Sequence, residues 1–431
     1  MTEKMKPSGI AWIGDIPTSW KVKKIKYYTE IVNGSTPDSS DLNCWDGPIK
    51  WITPADMDNT GIISEGERTL TQYGYNSCGT TMLPKGSVVI SSRAPIGKIN
   101  ITGEVLCTNQ GCKSLVCESD NRYLYYLLLA GQEELVRLGR GTTFVELSTF
   151  DLANFGIVLP TAMEQQAIAD FLDTQCAKID SVIADIEKQI ETLQKYKKSL
   201  ITEAVTKGLN RSVPMKDSSI DWIGKIPSHW RVIRITKYLD SLVDYRGKTP
   251  EKVDDGVFLV TARNIKNGIV DYSLSQEYVA AEEYEQIMHR GKPEIGDVLF
   301  TTEAPLGEVA NVDRTDIALA QRVIKFRGRK GCVDNYYLKY WLMSLGFQSF
   351  LWSLATGSTA LGIAASKLGQ LKMVLPPIDE QKAIAERLDC DCTNIDAIII
   401  EKRKQLETAQ QYKKSLIYEY VTGKKRVTEL N

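Results

Sequence analysis

Between residues 164 and 207 the apolar positions fall at Leu172, Cys176, Ile179, Ile183, Ile186, Ile190, Leu193, Leu200 and Ala204, in steps of three and four. Glu, Gln, Lys and Asp fill the flanks, Lys197 is the one charged residue in the stripe, and the stretch contains neither Pro nor Gly. Three-four spacing sustained over several heptads is the pattern of a coiled-coil helix. The pattern predicts one helix over 164–207, roughly 65 Å long at 1.5 Å per residue, more than a single compact domain needs to bury. Pro160 and Thr161 precede it, and Gly208 is placed to close it.

The same design returns over 380–422. EQQAIADFLD at 164–173 answers EQKAIAERLD at 380–389, and YKKSLITEAVT at 196–206 answers YKKSLIYEYVT at 412–422, both at an offset of 216. The repeat extends upstream: SGIAWIGDIPTSW at 8–20 answers SSIDWIGKIPSHW at 218–230, and GSVVISSRAPIGKI at 86–99 answers GDVLFTTEAPLGEV at 296–309, both at 210. The chain is a tandem duplication. Each copy has a Trp-Ile-Gly opening, a mixed domain, a Leu-Pro exit and a long helix.

Within the mixed domains, Val88–Ser92 and Val298–Thr302 are short apolar runs bounded by Gly and Pro, which predicts buried strands. Residues 123–138 and 335–354 carry helical spacing, and the polar segment 208–218 reads as a linker. Connectivity then selects the pairing of the long helices. The first ends about ten residues before the second domain begins, and the second starts where that domain ends. An antiparallel pair satisfies this without stretching a domain along the whole coil. The twin of 218–230, residues 8–20, should then sit after the second helix, bringing the N-terminus near the C-terminus.

Composition narrows the chemistry. No apolar run approaches a membrane span, and the first residues lack a signal-peptide pattern, so a cytoplasmic protein is expected. The nine cysteines form no secreted framework, and with only two histidines no zinc spacing arises around Cys107, Cys112 and Cys117. A net charge of −1 gives no global attraction to nucleic acid, which leaves local patches and partner subunits to supply phosphate contacts.

The motifs WIG-x-IP-x-x-W at 12–20 and 222–230, EQ-x-AIA at 164–169 and 380–385, and YKKSLI-x-E-x-VT closing each helix resemble the specificity subunit of type I restriction–modification systems. The resemblance covers nearly the whole chain. It implies an α+β architecture: two mixed α/β target recognition domains in tandem repeat, separated by two long α-helices that form an antiparallel intramolecular coiled coil with pseudo-two-fold symmetry. The corresponding boundaries are 1–160, 161–208, 209–376 and 377–431. The resemblance further implies a non-catalytic subunit that binds double-stranded DNA at a bipartite asymmetric target. Two modification (methyltransferase) subunits and the restriction (motor and nuclease) subunits would dock on it. S-adenosylmethionine, ATP and magnesium would belong to those partners, with no cofactor and no metal in this chain.

The residues agree with the absence of catalysis. An amino-methyltransferase needs a loop with an amide or carboxylate before Pro-Pro to hold a flipped adenine, but the one Pro-Pro here reads Leu375-Pro376-Pro377-Ile378. No complete Gly-x-x-x-x-Gly-Lys-Ser/Thr phosphate-binding loop is present. His229 and His289 give no basis for a histidine-dependent hydrolase. A self-contained methyltransferase or nuclease and a coiled-coil scaffold without a DNA role are the competing readings.

Candidate DNA contacts come from the mixed domains. In copy one the turn after the buried strand offers Ser91, Ser92, Arg93 and Lys98; in copy two it offers Thr301, Thr302 and Glu303. Arg suits a guanine edge or a phosphate, and Glu suits a cytosine amino group, so two heads built alike should read different bases. A second set is Asn109, Gln110 and Lys113 with Gln321 and Arg322; a third is Arg263, Asn264 and Lys266, answered by Asp56 and Asp58. The turns carrying Thr142 and Thr143, and Ser358 and Thr359, could donate to phosphate. The paired tryptophans Trp12/Trp20 and Trp222/Trp230 read as packing staples between domain and coil.

Overall fold

A computed structural model describes residues 4–427 except 59–60, 118–120, 141–144, 246, 248–249 and 358–360. The long helices run over Ala162–Lys207 and Ile378–Val421, with Thr161 capping the first by accepting from Glu164 N at 3.3 Å. The chain separates into two compact units, 1–186 with 404–431, and 187–403. Each unit therefore holds one mixed domain, the first half of one long helix and the second half of the other.

In the first unit the helix segments are antiparallel. Phe171 packs on Tyr420 with ring centroids 4.4 Å apart, while farther along the first helix Asp180 accepts from Lys413 Nζ at 2.7 Å. In the second unit Lys197, the charge in the apolar stripe, places Nζ 2.8 and 2.6 Å from the two carboxylate oxygens of Asp396. Ile201 and Val205 share a core there with Ile384 and Leu388. Lys197 keeps its stem in the seam and its ammonium on a carboxylate, so the interruption is tolerated.

Each mixed domain is tied to the far end of a long helix by the same devices. Tyr123 donates to Val158 O and Val421 O, both at 3.0 Å; Tyr337 donates to Val374 O at 3.0 Å and Val205 O at 3.1 Å. Tyr126 donates to Asp173 and Tyr340 to Asp389, at 2.7 and 2.6 Å. Trp20 and Trp230 are fully buried against the helix ends, where Gly423 and Gly208 turn with φ of +72° and +77°. A Cβ at Gly208 would come 3.0 Å from the Trp230 ring, and one at Gly423 would come 2.4 Å from Pro17. Both the left-handed backbone and the close approach demand glycine. The tryptophans are staples, as expected. Residues 8–20 do sit at the end of the second helix: Tyr418 donates to Trp12 O at 3.1 Å and Lys424 to Asp15 O.

The two domains share a sheet plan. The first has a sheet ordered Glu30–Asn33, Cys112–Val116, Val88–Ser91, Ile99–Thr102, Ile62–Ile63; the second has Leu239–Asp244, Val323–Gly328, Val298–Thr301, Val309–Asn311. The central strands Val88–Ser91 and Val298–Thr301 are buried throughout, which their unbroken apolar runs dictate. A smaller three-stranded sheet stands beside each, centred on Trp45–Ile52 and on Val257–Val260.

Three expectations change. The helix expected over 123–138 is two, Asn121–Ala130 and Gln132–Arg137, broken at Gly131, where Trp12 and Phe155 press so closely that a Cβ would sit 2.9 Å from the indole. The helix expected over 335–354 breaks at Ser344, whose backbone is extended at ψ 147° and whose hydroxyl donates to Trp341 O at 2.7 Å. The linker 208–218 contains a strand, Met215–Asp217, paired antiparallel with Lys225–Pro227, just as Met5–Pro7 pairs with Asp15–Pro17. Among the described residues no helix is long and apolar enough to cross a membrane.

Candidate nucleic-acid interface

The turn after each central strand is built by its last residue. Ser91 N donates to Lys98 O at 2.9 Å, Ser91 Oγ to Pro95 O at 2.7 Å, and Lys98 N donates back to Ser91 Oγ at 2.8 Å. Thr301 N donates to Glu308 O at 2.9 Å, and Glu308 N to Thr301 Oγ1 at 2.9 Å. The next residue ties the turn to the neighbouring loop: Ser92 Oγ donates to Gly111 O at 3.1 Å, and Thr302 Oγ1 to Arg322 O at 3.2 Å. All four hydroxyl residues are buried. Their groups are spent on the turn, so the expectation of DNA contact does not extend to them.

A third segment closes over the turn. Leu147 N donates to Ser92 O at 2.8 Å and Ile363 N to Thr302 O at 3.0 Å, and the bridges Arg93↔Glu146 and Glu303↔Gly362 are equivalent. Arg140 and Glu146 exchange backbone hydrogen bonds at 3.0 and 2.9 Å, as Thr356 and Gly362 do at 2.9 and 3.0 Å. Thr142, Thr143, Ser358 and Thr359 fall between these pairs in sequence and lie outside the described residues.

On this shared backbone stand two ion pairs. In the first unit Arg93 Nε lies 3.2 Å from Glu146 Oε2; in the second, Arg322 Nε lies 2.8 Å from Glu303 Oε1. Side-chain exposure of Arg93 and Arg322 is 49% and 48%, so both guanidinium groups face solvent. Glu303 is therefore not a lone acceptor waiting for a base. It holds an arginine, and the chemistry at the two turns is more alike than the Arg93-for-Glu303 exchange implies.

The remaining candidates divide by burial. Asn264 is buried, accepting from Thr261 N and Oγ1 at 2.9 Å each and donating to Asp271 O and Ser275 O at 3.0 and 2.8 Å. Asp56 does the same work in the first unit, accepting from Thr53 N and Oγ1 at 2.8 and 2.7 Å. Both are loop builders. Arg263 and Lys266 of the same loop are exposed. Lys98 donates to Pro54 O at 3.0 Å, and its counterpart Glu308 accepts from Asn267 N at 3.1 Å; opposite chemistry fastens the same loop to the same turn. Asn109 accepts from Gly111 N at 2.9 Å within its turn, and Gln110 is exposed and accepts from Thr36. Lys113 is buried, donating to Asn33 at 3.2 Å and Thr149 at 3.0 Å. Burial pulls its pKa below the ordinary lysine range, with Glu146 opposing and Arg93 reinforcing that shift.

In the second unit a cavity of about 160 Å³ gathers Arg263, Gln321, Arg322, Lys252 and Thr261 beside Ala304 of the turn. It joins a wider cleft of about 360 Å³ through Pro250 and Gln321. Lys252 and Glu146 were not singled out from sequence. The repeat does mark the position of Glu146, since it aligns 146 with 362, each directly before an apolar residue, Leu147 and Ile363. Nothing in the sequence alone marks Lys252.

The Pro376-Pro377 pair leads into the second long helix, with Pro376 O and Pro377 O accepting from Gln381 Nε2 and N at 2.8 and 3.0 Å. Among the described residues no group of three or more His, Cys, Asp or Glu is placed to hold a metal. His229 sits 2.8 Å from Glu380, which also accepts from Trp230 Nε1 at 2.9 Å, so it belongs to the staple.

The family described as type I restriction modification DNA specificity domain matches residues 17–192 and 227–408. Among curated relatives, the MjaVIII specificity subunit of Methanocaldococcus jannaschii is 31% identical over 428 residues, spanning 96% of this chain and 95% of the relative. The MjaIX specificity subunit of the same organism is 27% identical over 434 residues, spanning 97% and 96%. The EcoKI specificity subunit of Escherichia coli is 21% identical over 413 residues, spanning 87% and 82%. A chain solved in a study of complex assembly and conformational transition of the type I R-M system has the same fold, with a TM-score of 0.69 at 14% identity over 94% of this chain and 98% of its own.

Proposed function

The chain belongs to the type I restriction–modification DNA specificity family, and from that premise we propose that its two units each read one half of a split, asymmetric duplex target. The chain is the specificity component, and catalysis lies with partner subunits. In this reading the long helices set the unread spacer, two methyltransferase subunits dock on the chain to methylate adenine, and restriction subunits join them, all in the cytoplasm. S-adenosylmethionine, ATP and magnesium are bound by those partners.

The observation that carries the reading is the pairing of one scaffold with two side-chain sets. Both units repeat the same turn, bridge and loop hydrogen bonds, yet the exposed and half-buried polar groups on them differ: Arg93, Glu146 and Gln110 in one, Glu303, Arg322, Gln321 and Arg263 in the other. A repeated frame with unlike exposed polar groups suits a target whose halves differ in sequence.

The test is methylation-sensitive sequencing of genomes with and without this gene where the partner subunits are expressed. One bipartite, asymmetric adenine-methylated motif should vanish with the gene, and exchanging 21–160 for another recognition domain should rewrite one half of it only. An unchanged set of methylated motifs on deletion would sink the reading in favour of a scaffold. Methyl transfer by the purified chain alone would sink it in favour of an enzyme.

A further inference from the structure

We propose that Arg93 and Arg322 are the guanine readers of the two half-sites, and that Glu146 and Glu303 are positioning residues that aim them. The inference rests on the reading above and assigns roles within it. In both units the carboxylate takes the guanidinium at Nε, at 3.2 Å from Glu146 and 2.8 Å from Glu303. An arginine met at Nε keeps the edge formed by its two terminal nitrogens: among the described residues Arg93 donates from Nε alone, to Glu146, and Arg322 meets Glu303 at Nε as an ion pair, with no hydrogen bond from the terminal nitrogens of either. Two parallel N–H donors on one planar edge match O6 and N7 of guanine in the major groove.

The paired carboxylate favours a base over a phosphate at each guanidinium. A lone arginine clamps phosphate well, but each of these carries a carboxylate within hydrogen-bonding distance, and the pair has no net charge. A phosphate brought to the guanidinium would meet the repulsion of that carboxylate at nearly the same range as the attraction. The neutral O6/N7 edge incurs no such opposition. The carboxylate also removes rotamer freedom from a long side chain before DNA arrives, which lowers the ordering cost of a specific contact.

The two arginines reach the same place from different segments. Arg93 lies in the turn itself with its glutamate across the bridge, at 146. In the second unit the turn supplies the glutamate, at 303, and the arginine comes from the loop before Val323–Gly328, beside Arg263 and Gln321 in the cavity. The guanines they read therefore need not occupy equivalent steps of the two half-sites.

The experiment is methylome sequencing of cells carrying the full chain with its own partner subunits, as wild type and as Arg93→Gln, Arg93→Lys, Glu146→Gln, Arg322→Gln, Arg322→Lys and Glu303→Gln. Each wild-type half-site should contain a guanine. Each Arg→Gln variant should lose about ten- to a hundredfold discrimination at that one position while the other half-site stays strictly read. Each Glu→Gln variant should relax the same position as its arginine, a readout that a merely structural role would not produce. Strict reading of the untouched half-site reports that the variant folds and assembles.

Three results overturn the proposal: a half-site without guanine, an unchanged motif, or a loss spread evenly over all positions in both the Gln and Lys variants, as a phosphate or scaffold contact gives. If wild-type cells show no methylated motif dependent on the chain, the underlying function fails, and this assignment with it.

Discussion

Replacing Asp297 by Ser alone in the second unit should cost far more than replacing it together with its two cationic partners, Lys325 and Arg327. Asp297 and Lys325 are almost fully buried, with side-chain exposures of 1% and 2%, and their charged atoms lie 3.2 Å apart. Arg327 closes on both oxygens of Asp297 at 2.7 and 2.8 Å, and Lys325 donates onward to Lys292 O at 2.9 Å. Removing the carboxylate leaves a buried ammonium facing a guanidinium, and breaking a buried pair from one side costs on the order of 3–5 kcal/mol. The first unit runs the same sheet without these charges. In its register Ser87, Ser114 and Val116 stand where Asp297, Lys325 and Arg327 do. The triple variant Asp297→Ser, Lys325→Ser, Arg327→Val strands no buried charge and loses mainly packing, roughly 1–2 kcal/mol.

Hydrogen exchange on the full chain reads both variants with an internal control. At about 1.4 kcal/mol per factor of ten, Asp297→Ser should lower protection of the Val298–Thr301 amides by about two to four orders of magnitude. The Val88–Ser91 amides should keep theirs, and the triple variant should recover most of the loss. A drop of less than tenfold in the single variant, or a triple variant no better protected than the single, would refute the reasoning.

The same network predicts the direction of acid sensitivity. Burial works to raise the Asp297 pKa, but Arg327, the Glu294 amide and Lys325 together carry it below the ordinary 3.8. The folded state therefore binds fewer protons there than the unfolded chain. The stabilisation is fully present above 3.8 and fades as pH falls through the depressed value, so second-unit protection should drop in that window in wild type and not in Asp297→Ser. Thiol labelling with iodoacetamide at pH 8 should modify exposed Cys390 and spare Cys112, whose pKa burial pushes up to about 12; mass spectrometry of labelled peptides checks it, and labelling of Cys112 at the rate of Cys390 would contradict its burial.

The long helices were legible because their information is periodic and local: Leu172, Cys176, Ile186 and Ala204 fall on one stripe and all end buried. The swap of helix ends was legible from the repeat, since 8–20 could only find its partner after 421. The breaks at Gly131 and Ser344 were not, because helical spacing runs through both and only contacts distant in sequence, such as Trp12 on Gly131, select the break. At the interface, the strand-then-turn pattern located the site but not the direction of each side chain. Ser91 and Thr301 end buried strands and turn inward, a matter of register that a one-residue shift would invert. Lys325 was the clearest signal passed over: a lysine inside VIKFRG, between two apolar residues, needs a buried acid, and Asp297 at the head of the adjacent strand supplies it.

Backbone groups and inward-turned hydroxyls do the construction at both turns, so the frame places few demands on the exposed positions. Positions 93 and 303, 146 and 362, and the loop residues 110–111 and 321–322 carry Arg and Glu, Glu and Gly, Gln-Gly and Gln-Arg without altering a single bridging hydrogen bond between the units' equivalent atoms. A side chain that contributes nothing to the frame can change without a folding penalty, and a recognition surface needs that freedom to acquire new targets. Asp297, Lys325 and Arg327 illustrate the opposite case. There the side chains are inside the frame, and only a concerted replacement by neutral groups preserves it. The exposed Arg–Glu pairs lie between these extremes. Their side chains are 38–49% exposed, so losing either partner should leave the domain folded, whereas losing the glutamate should release the arginine; the orientation of the proposed reading group and the stability of the fold then depend on different residues.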